Sequence, residues 1–260
     1  MATEQSRGAT PLIEIDTVCK SFGPVEAVRD ATFAVDQGEF VVLIGPSGCG
    51  KSTLLNMVSG LMAPTSGTIR YDADTIDRVN TRVGYMTQTE TLLPWRTVAD
   101  NISVPLEIRR TPRADRRAAI EQVIEMVGLT GFESHYPNQL SGGMRKRVQL
   151  ARTLVYEPET LLMDEPFGSL DPMLKLLVQE ELMRIWERSR KTVMYVTHDL
   201  GEAVSLADRV VVFTRRPARI AKVVPIDIPR PRDISALRTT PQFAALYEEL
   251  WDTLRGEVVV

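Results

Sequence analysis

The amino-acid sequence predicts an α/β fold in which short, fully buried strands alternate with helices. Three observations carry the prediction. Phe40–Ile44, Thr160–Met163 and Val193–Thr197 are largely unbroken apolar runs of strand length, the pattern of parallel strands covered on both faces. The first run leads straight into a glycine-rich turn, and helical periodicity begins immediately after it. A second stretch of helical character, Pro172–Ser189, lies between the other two runs.

A chain of 260 residues is long enough for one large α/β unit with a subdomain and a tail. Its 43% hydrophobic and 25% charged content is ordinary globular usage and excludes disorder of the whole chain. The net charge of -3 supplies no basic field for a polyanion, so nucleic acid is not expected as a partner. No apolar run reaches the roughly 18 residues that span a bilayer, and Met1–Thr10 lacks the apolar centre of a secretion signal, which predicts a cytoplasmic protein. Two cysteines, Cys19 and Cys49, are too few for a disulfide framework.

Taken in order, residues 1–11 are a polar, flexible lead-in, and strand-like runs follow at Leu12–Val18, Ala31–Val35 and Phe40–Ile44. Beyond Lys51, apolar residues at Leu54, Leu55, Val58, Leu61 and Met62 keep helical spacing, with Pro64 and Gly67 as the stop. Thr97–Ala151 is mostly helical, broken at Pro105, Pro112 and near Pro137, and predicts a helical subdomain over about 90–155 inserted between sheet strands. Arg209–Phe213 is a further strand. Arg215–Arg232 is rich in Arg and Pro and predicts an extended surface segment whose charge serves solvation. In the extension 229–260, Phe243, Leu246, Tyr247, Leu250 and Leu254 mark an amphipathic helix that either fastens onto its own domain or meets a second subunit.

The turn after Phe40–Ile44 reads Gly45, Pro46, Ser47, Gly48, Cys49, Gly50, Lys51, Ser52, Thr53, which satisfies the G-x-x-x-x-G-K-[ST] pattern of a phosphate-binding loop. Its glycines let backbone N–H groups turn onto phosphate oxygens, and the positive end of the following helix adds to the site. Lys51 is expected at the β- and γ-phosphates of ATP, and the Ser52 hydroxyl on Mg2+. Cys49 reads as a tolerated small side chain. At the end of a buried strand, Asp164 and Glu165 point in different directions because side chains alternate, so they can hold different roles. Asp164 fits the magnesium-side carboxylate, and Glu165 the base that polarises attacking water.

Leu140-Ser141-Gly142-Gly143-Met144, followed by Arg145 to Arg152, resembles the signature of ABC ATPases, and the resemblance spans nearly the whole chain. Other motifs of that family stand in the proper order: Gln88 after Val83–Met86, the signature, Asp164-Glu165, Ser169-Leu170-Asp171 and His198. The resemblance implies a P-loop NTPase core of ABC ATPase type over 12–228, with a small antiparallel β region. It implies that Ser141, Gly142 and Gly143 close over nucleotide held by another copy, giving a homodimer, and that Asp171 meets the opposite subunit. It further implies that Gln88 joins metal and water to a transport partner, that His198 is the γ-phosphate switch, and that Phe22 stacks on adenine. Met144 departs from the commoner Gln of the signature.

The Met form of the signature, Leu93-Pro94-Trp95-Arg96-Thr97-Val98 and Asp164 to Gly168 resemble importers of nitrate, sulfonate or taurine. Transmembrane permease subunits, a separate solute-binding protein and a peripheral place on the cytoplasmic face of the membrane follow from that narrower likeness. Leu93 and Trp95 are expected either at the permease or in packing between sheet core and helical subdomain. The alternative class is a soluble ABC ATPase acting in translation or DNA maintenance, which the single ATPase unit and the lack of a long coiled-coil insertion or basic domain disfavour. A catalytically silent scaffold is opposed by the presence of Lys51, Ser52, Asp164, Glu165 and His198 together.

Overall fold

The computed structural model describes residues 11–168 and 170–258. Most of the expected lead-in, and Ser169, lie outside them. The chain opens with two long strands, β1 (Ile13–Phe22) and β2 (Val25–Val35), then β3 (Phe40–Ile44) and helix α1 (Lys51–Val58). Strands β4 (Ser66–Tyr71), β5 (Asp74–Thr75) and β6 (Val83–Met86) precede three helices, α2 (Val98–Ile108), α3 (Arg113–Met126) and α4 (Gly142–Leu154). Then β7 (Thr160–Asp164), α5 (Pro172–Ser189), β8 (Thr192–Val196), α6 (Leu200–Leu206) and β9 (Arg209–Phe213) alternate. The chain continues through β10 (Ile220–Pro225), α7 (Ile234–Leu237) and α8 (Pro241–Val258).

Two sheets result. An antiparallel sheet has the order β2-β1-β4-β5, and a larger one the order β10-β9-β3-β8-β7-β6. In the larger sheet β9, β3, β8, β7 and β6 run parallel, and β10 is antiparallel at the edge. Strand β3 is completely buried, and its alternation divides the molecule into two cores. Phe40, Val42 and Ile44 join the core shared with α2, α4, α5 and α8, whereas Val41 and Leu43 face α1 and the antiparallel sheet.

The parallel strands end in register. Leu43 pairs with Val196, and Asp164 with Val196, so the loops after β3, β7 and β8 leave the same edge of the sheet. β6 pairs with β7 through Met86 and Met163, which brings the segment holding Gln88 to that edge as well. Ligands of open parallel sheets lie outside these carboxyl ends.

Several expected boundaries shift. The first two strands are longer than Leu12–Val18 and Ala31–Val35, because Thr17 and Asp30 take positive φ and register shifts interrupt the pairing, which hides the two-residue period. Helix α1 stops at Val58 rather than running to Met62; Gly60 has φ +72° and the N–H groups of Leu61 and Met62 both turn back to the Asn56 carbonyl. Leu61 is consequently exposed. Pro105 does not break the chain but lies inside α2, and packing of Val98, Ile102 and Leu106 into the core offsets its missing donor.

The Arg- and Pro-rich segment is also corrected. It contains β10, and two of its charges, those of Arg230 and Arg232, are structural rather than merely solvated, while Arg215, Arg216 and Arg219 are exposed. Arg230 pairs with Asp208 and lies over the Trp186 ring, 4.2 Å from its centroid. Arg232 spends all five guanidinium N–H donors on the carbonyls of Ser205, Ala207, Ile226 and Ile228. The terminal helix fastens onto its own chain. Phe243 and Leu250 enter the large core, and Lys222 pairs with Glu249 at 2.8 Å.

Candidate functional site

At the carboxyl edge of the parallel strands opens a cleft of about 530 Å³, lined by Phe22, Val25, Ala27, Ser47, Gly48, Gly50, Lys51, Ser52, Thr53, Gln88, Glu165, His198 and Arg216. Its floor is the glycine-rich loop. Gly50 takes φ +132°, and a Cβ there would stand 2.8 Å from the Ala27 carbonyl oxygen, so only glycine lets the loop seat against β2. Lys51 begins α1 and is only 4% exposed; its ammonium donates to the carbonyls of Gly45 (2.8 Å) and Pro46 (3.0 Å). The loop thereby wraps its own lysine. Gly45 and Cys49 are buried beneath it and Pro46 half-buried, and Cys49 packs in the core between the sheets.

Asp164 and Glu165 diverge as side-chain alternation requires. Asp164, at the end of β7, accepts a hydrogen bond from the Ser52 hydroxyl at 2.9 Å. Burial pushes its carboxyl above the usual range; the Ser52 hydrogen bond opposes this, the neighbouring Glu165 charge reinforces it and Lys51 opposes it. Glu165 has φ +43°, a left-handed conformation that costs energy in a non-glycine residue and turns its carboxylate out of the sheet. There its Oε2 accepts from Gln88 Nε2 at 3.3 Å and lies 3.1 Å from His198 Nδ1. Residues 77 and 33 positions away in sequence thus converge on one oxygen.

Phe22 stands at the far wall, 47% exposed, with the Lys20 ammonium 5.3 Å from its ring centroid. Arg216 shares that wall. The backbone of Ala218 bonds to Ala27 and Arg29, which ties the turn carrying Arg216 to β2. The remaining candidates lie outside the cleft. Ser141 caps α4, its hydroxyl accepting from the Met144 N–H at 3.3 Å. Gly142 follows it, and Gly143 packs so closely on Leu174 that a Cβ would fall 2.3 Å from a methyl group. Asp171 caps α5, accepting from the Leu174 N–H at 3.0 Å. Met144 packs half-buried against the core.

Helix α4 grips the Gln88 segment from behind. Lys146, only 1% exposed, donates to the Gln88 carbonyl at 2.9 Å, and Gln149 to that of Thr87 at 3.0 Å. Arg145 bonds Glu90, and Arg152 the Thr91 carbonyl. On the other side, buried Asn101 braces residues 93–97 through bonds to Leu93, Arg96 and Thr97. That loop presents Trp95, 72% exposed, which excludes core packing for its side chain.

The family model described as ABC transporter matches residues 28–168, more than half of the chain. The chain belongs to the ABC transporter family. A nitrate import ATP-binding protein of Synechococcus elongatus is 44% identical over 252 residues, covering 94% of this chain and 92% of the relative. An aliphatic sulfonates import ATP-binding protein of Bacillus cereus is 40% identical, covering 85% and 88%. A bicarbonate transport ATP-binding protein of Synechocystis sp. is 39% identical, covering 97% and 92%. Among solved structures, a dimeric bacterial ABC transporter cassette superposes with TM-score 0.74 at 29% identity, covering 84% of this chain and all of the other. The same cassette in a post-hydrolysis state bound to ADP and phosphate gives 0.73.

As an ABC ATPase, the chain places eight of its expected residues, Phe22, Gln88 and six of the phosphate loop, on the cleft wall beside Glu165 and His198, with Asp164 directly behind Ser52. Sequence reasoning missed Val25, Ala27 and Arg216. No motif spacing marks them, and Arg216 sits in the very segment whose charge was expected to serve solvation. A second cleft of about 320 Å³, between α3 and α5, contains none of the motif residues. Among the described residues, no helix is long and apolar enough to cross a membrane.

Proposed function

We propose that this ABC ATPase energises a membrane importer of a small oxyanion, using the cleft at the carboxyl edge of its parallel sheet. The observation that carries the catalytic part is the convergence of Gln88 and His198 on the Glu165 carboxylate beside the phosphate loop. Glu165 is the general base for the attacking water, His198 the γ-phosphate contact, and Lys51 with the N–H groups of 45–53 the phosphate cradle. Phe22 offers its free face to the adenine ring, with Arg216 beside it.

Ser52 and Asp164 present two hard oxygen donors that already touch at 2.9 Å, and Gln88 adds an amide oxygen, a donor set suited to Mg2+. Ser52, Gln88 and Asp164 would hold the ion, which neutralises charge on the β- and γ-phosphate oxygens when bound.

Ser141, Gly142, Gly143 and Asp171 do not line their own cleft, which fits a homodimer in which each copy's α4 N-terminus closes the other's nucleotide site. The dimeric cassette among the structural relatives supports the same reading. The exposed Trp95, on a loop braced by Asn101 beside the α4-held Gln88 segment, is read as the contact to transmembrane permease subunits at the cytoplasmic face. The ATPase unit is assigned to 12–228, its helical part to about 90–155, and the extension to 229–260.

Nitrate, sulfonates and bicarbonate, the solutes in the relatives' names, are all small oxyanions. A separate solute-binding protein would select among them. Co-purification of the tagged chain from gently solubilised membranes tests the importer reading. A stoichiometric multi-span membrane protein is the expected partner; recovery only from the soluble fraction, or with ribosomes or DNA, would favour the non-transport class.

A further inference from the structure

A buried polar cluster behind His198 has no part in the motifs. Lys175, one turn into α5, lies 2.9 Å from Asp199 Oδ2 and 2.6 Å from Glu202 Oε1. Glu202 is only 2% exposed, and its remaining bonds come from Gln179 (2.9 Å) and the Tyr195 hydroxyl (2.9 Å). Asp199 follows His198 directly. Its other oxygen accepts the N–H groups of Gly201 and Glu202, and its own N–H donates to the Thr197 hydroxyl.

The same lysine is tied in the other direction. Its backbone N–H donates to the Asp171 carbonyl at 2.9 Å, in the first turn of α5. One residue therefore holds Asp171 through its main chain and the neighbour of His198 through its side chain. Such a cluster carries a desolvation cost, which falls mainly on Glu202 and on the largely covered Lys175 ammonium, while Asp199 keeps part of its contact with water. Burial works to lower the Lys175 pKa, but the carboxylates of Glu202 and Asp199 outweigh it and the net direction is upward, so the ammonium stays charged.

We propose that Lys175 is a positioning residue that sets His198 against Glu165 and links that setting to the backbone at Asp171. A shift of the Asp171 turn would be carried into the His198 turn by the Lys175 side chain, whose ammonium is pinned by Asp199 and Glu202. The inference rests on the reading of Glu165 and His198 as the hydrolytic pair, and it adds an element within one chain through which the α5 start controls that pair.

Lys175→Met alone would strand the buried Glu202 carboxylate and could unfold the protein, so the test uses the charge-balanced double variant Lys175→Met with Glu202→Gln. Glu202→Gln alone, which leaves the Lys175–Asp199 bond in place, is the reference. The chain has two histidines, so in a ¹³C-histidine-labelled sample the imidazole signals of His135 and His198 are read separately. The His198 signal is expected to move in the double variant relative to the reference while that of His135 stays. Turnover of MgATP is expected to fall about tenfold with the dissociation constant changed less than about twofold, and Lys175→Arg to keep most of the turnover. A His198 signal that superposes on the reference, or affinity and turnover falling together, would overturn the proposal. Should the wild type hydrolyse no ATP, the hydrolytic reading fails by itself, and the His198 signal still decides the placement by Lys175.

Discussion

The buried ammonium of Lys146 donates to the main-chain carbonyl of Gln88, 58 residues away, at 2.9 Å. Helix α4, whose start is the Ser141 cap, is thereby bonded to the segment that reaches Glu165. Burial lowers the pKa of this lysine, so the bond is kept at a desolvation cost. Lys146→Met keeps the packing and removes the donor. Calorimetry is expected to find MgATP affinity within about threefold of wild type, while phosphate release slows roughly tenfold because Gln88 is no longer held.

The Asp164 carboxyl is raised by burial, and the sign of its effect follows. A folded-state pKa above the unfolded value means that the folded protein binds the proton more tightly; this stabilisation is present at low pH and lost as pH rises through the raised value. Asp164→Asn removes the buried charge and keeps an oxygen for Ser52. The melting temperature of the nucleotide-free variant at pH 7 is expected to equal or exceed that of wild type, with turnover down at least about a hundredfold. Scanning calorimetry with a hydrolysis assay checks both.

Lys51→Ala deletes the one buried cation in the phosphate loop. Charge-assisted bonds to phosphate contribute roughly 2–3 kcal/mol, so the dissociation constant for ATP is expected to rise about 30- to 160-fold. Titration calorimetry on the folded variant measures it, and an unchanged constant would remove Lys51 from the phosphates.

Arg232→Met removes the guanidinium donors of four carbonyls, of which that of Ile226 keeps the Ile228 N–H. The cost is about 2–3 kcal/mol, which for a chain of this size lowers Tm by roughly 5–10 °C. Arg232→Lys is expected to recover little, since one ammonium cannot reproduce the planar five-donor fork. Thermal unfolding followed by circular dichroism distinguishes this from a surface charge, whose removal would move Tm by under about 1 °C.

Much of this architecture is legible in the chain because the chemistry is local. Phe40–Ile44 and Arg209–Phe213 are apolar runs with turn signals at both ends, and the observed strands have the same limits. Pro172 at the first turn of α5 and Asp171 as its cap mark that helix start directly. The phosphate loop, Asp164 and Glu165 announce themselves by spacing. What spacing cannot show is a partner chosen in three dimensions. Arg216 joins the cleft only because Ala218 bonds to β2, and Lys175 finds Asp199 only after β8 has placed the turn beside α5. Arg232 looks like a solvated charge until its carbonyls are found on α6 and the β10 exit. Pro105 misleads because propensity is weak against the burial of one helix face.

The most direct test of the account is turnover and binding of MgATP by Glu165→Gln beside wild type. The amide keeps the shape and the bonds to Gln88 and His198 but cannot take a proton. Wild type is expected to release phosphate steadily, and the variant to bind MgATP within about threefold of the wild-type constant with turnover at or below about one hundredth. Wild-type turnover in the variant would contradict the assignment of Glu165 as the base and, with it, the reading of this cleft as the hydrolytic centre.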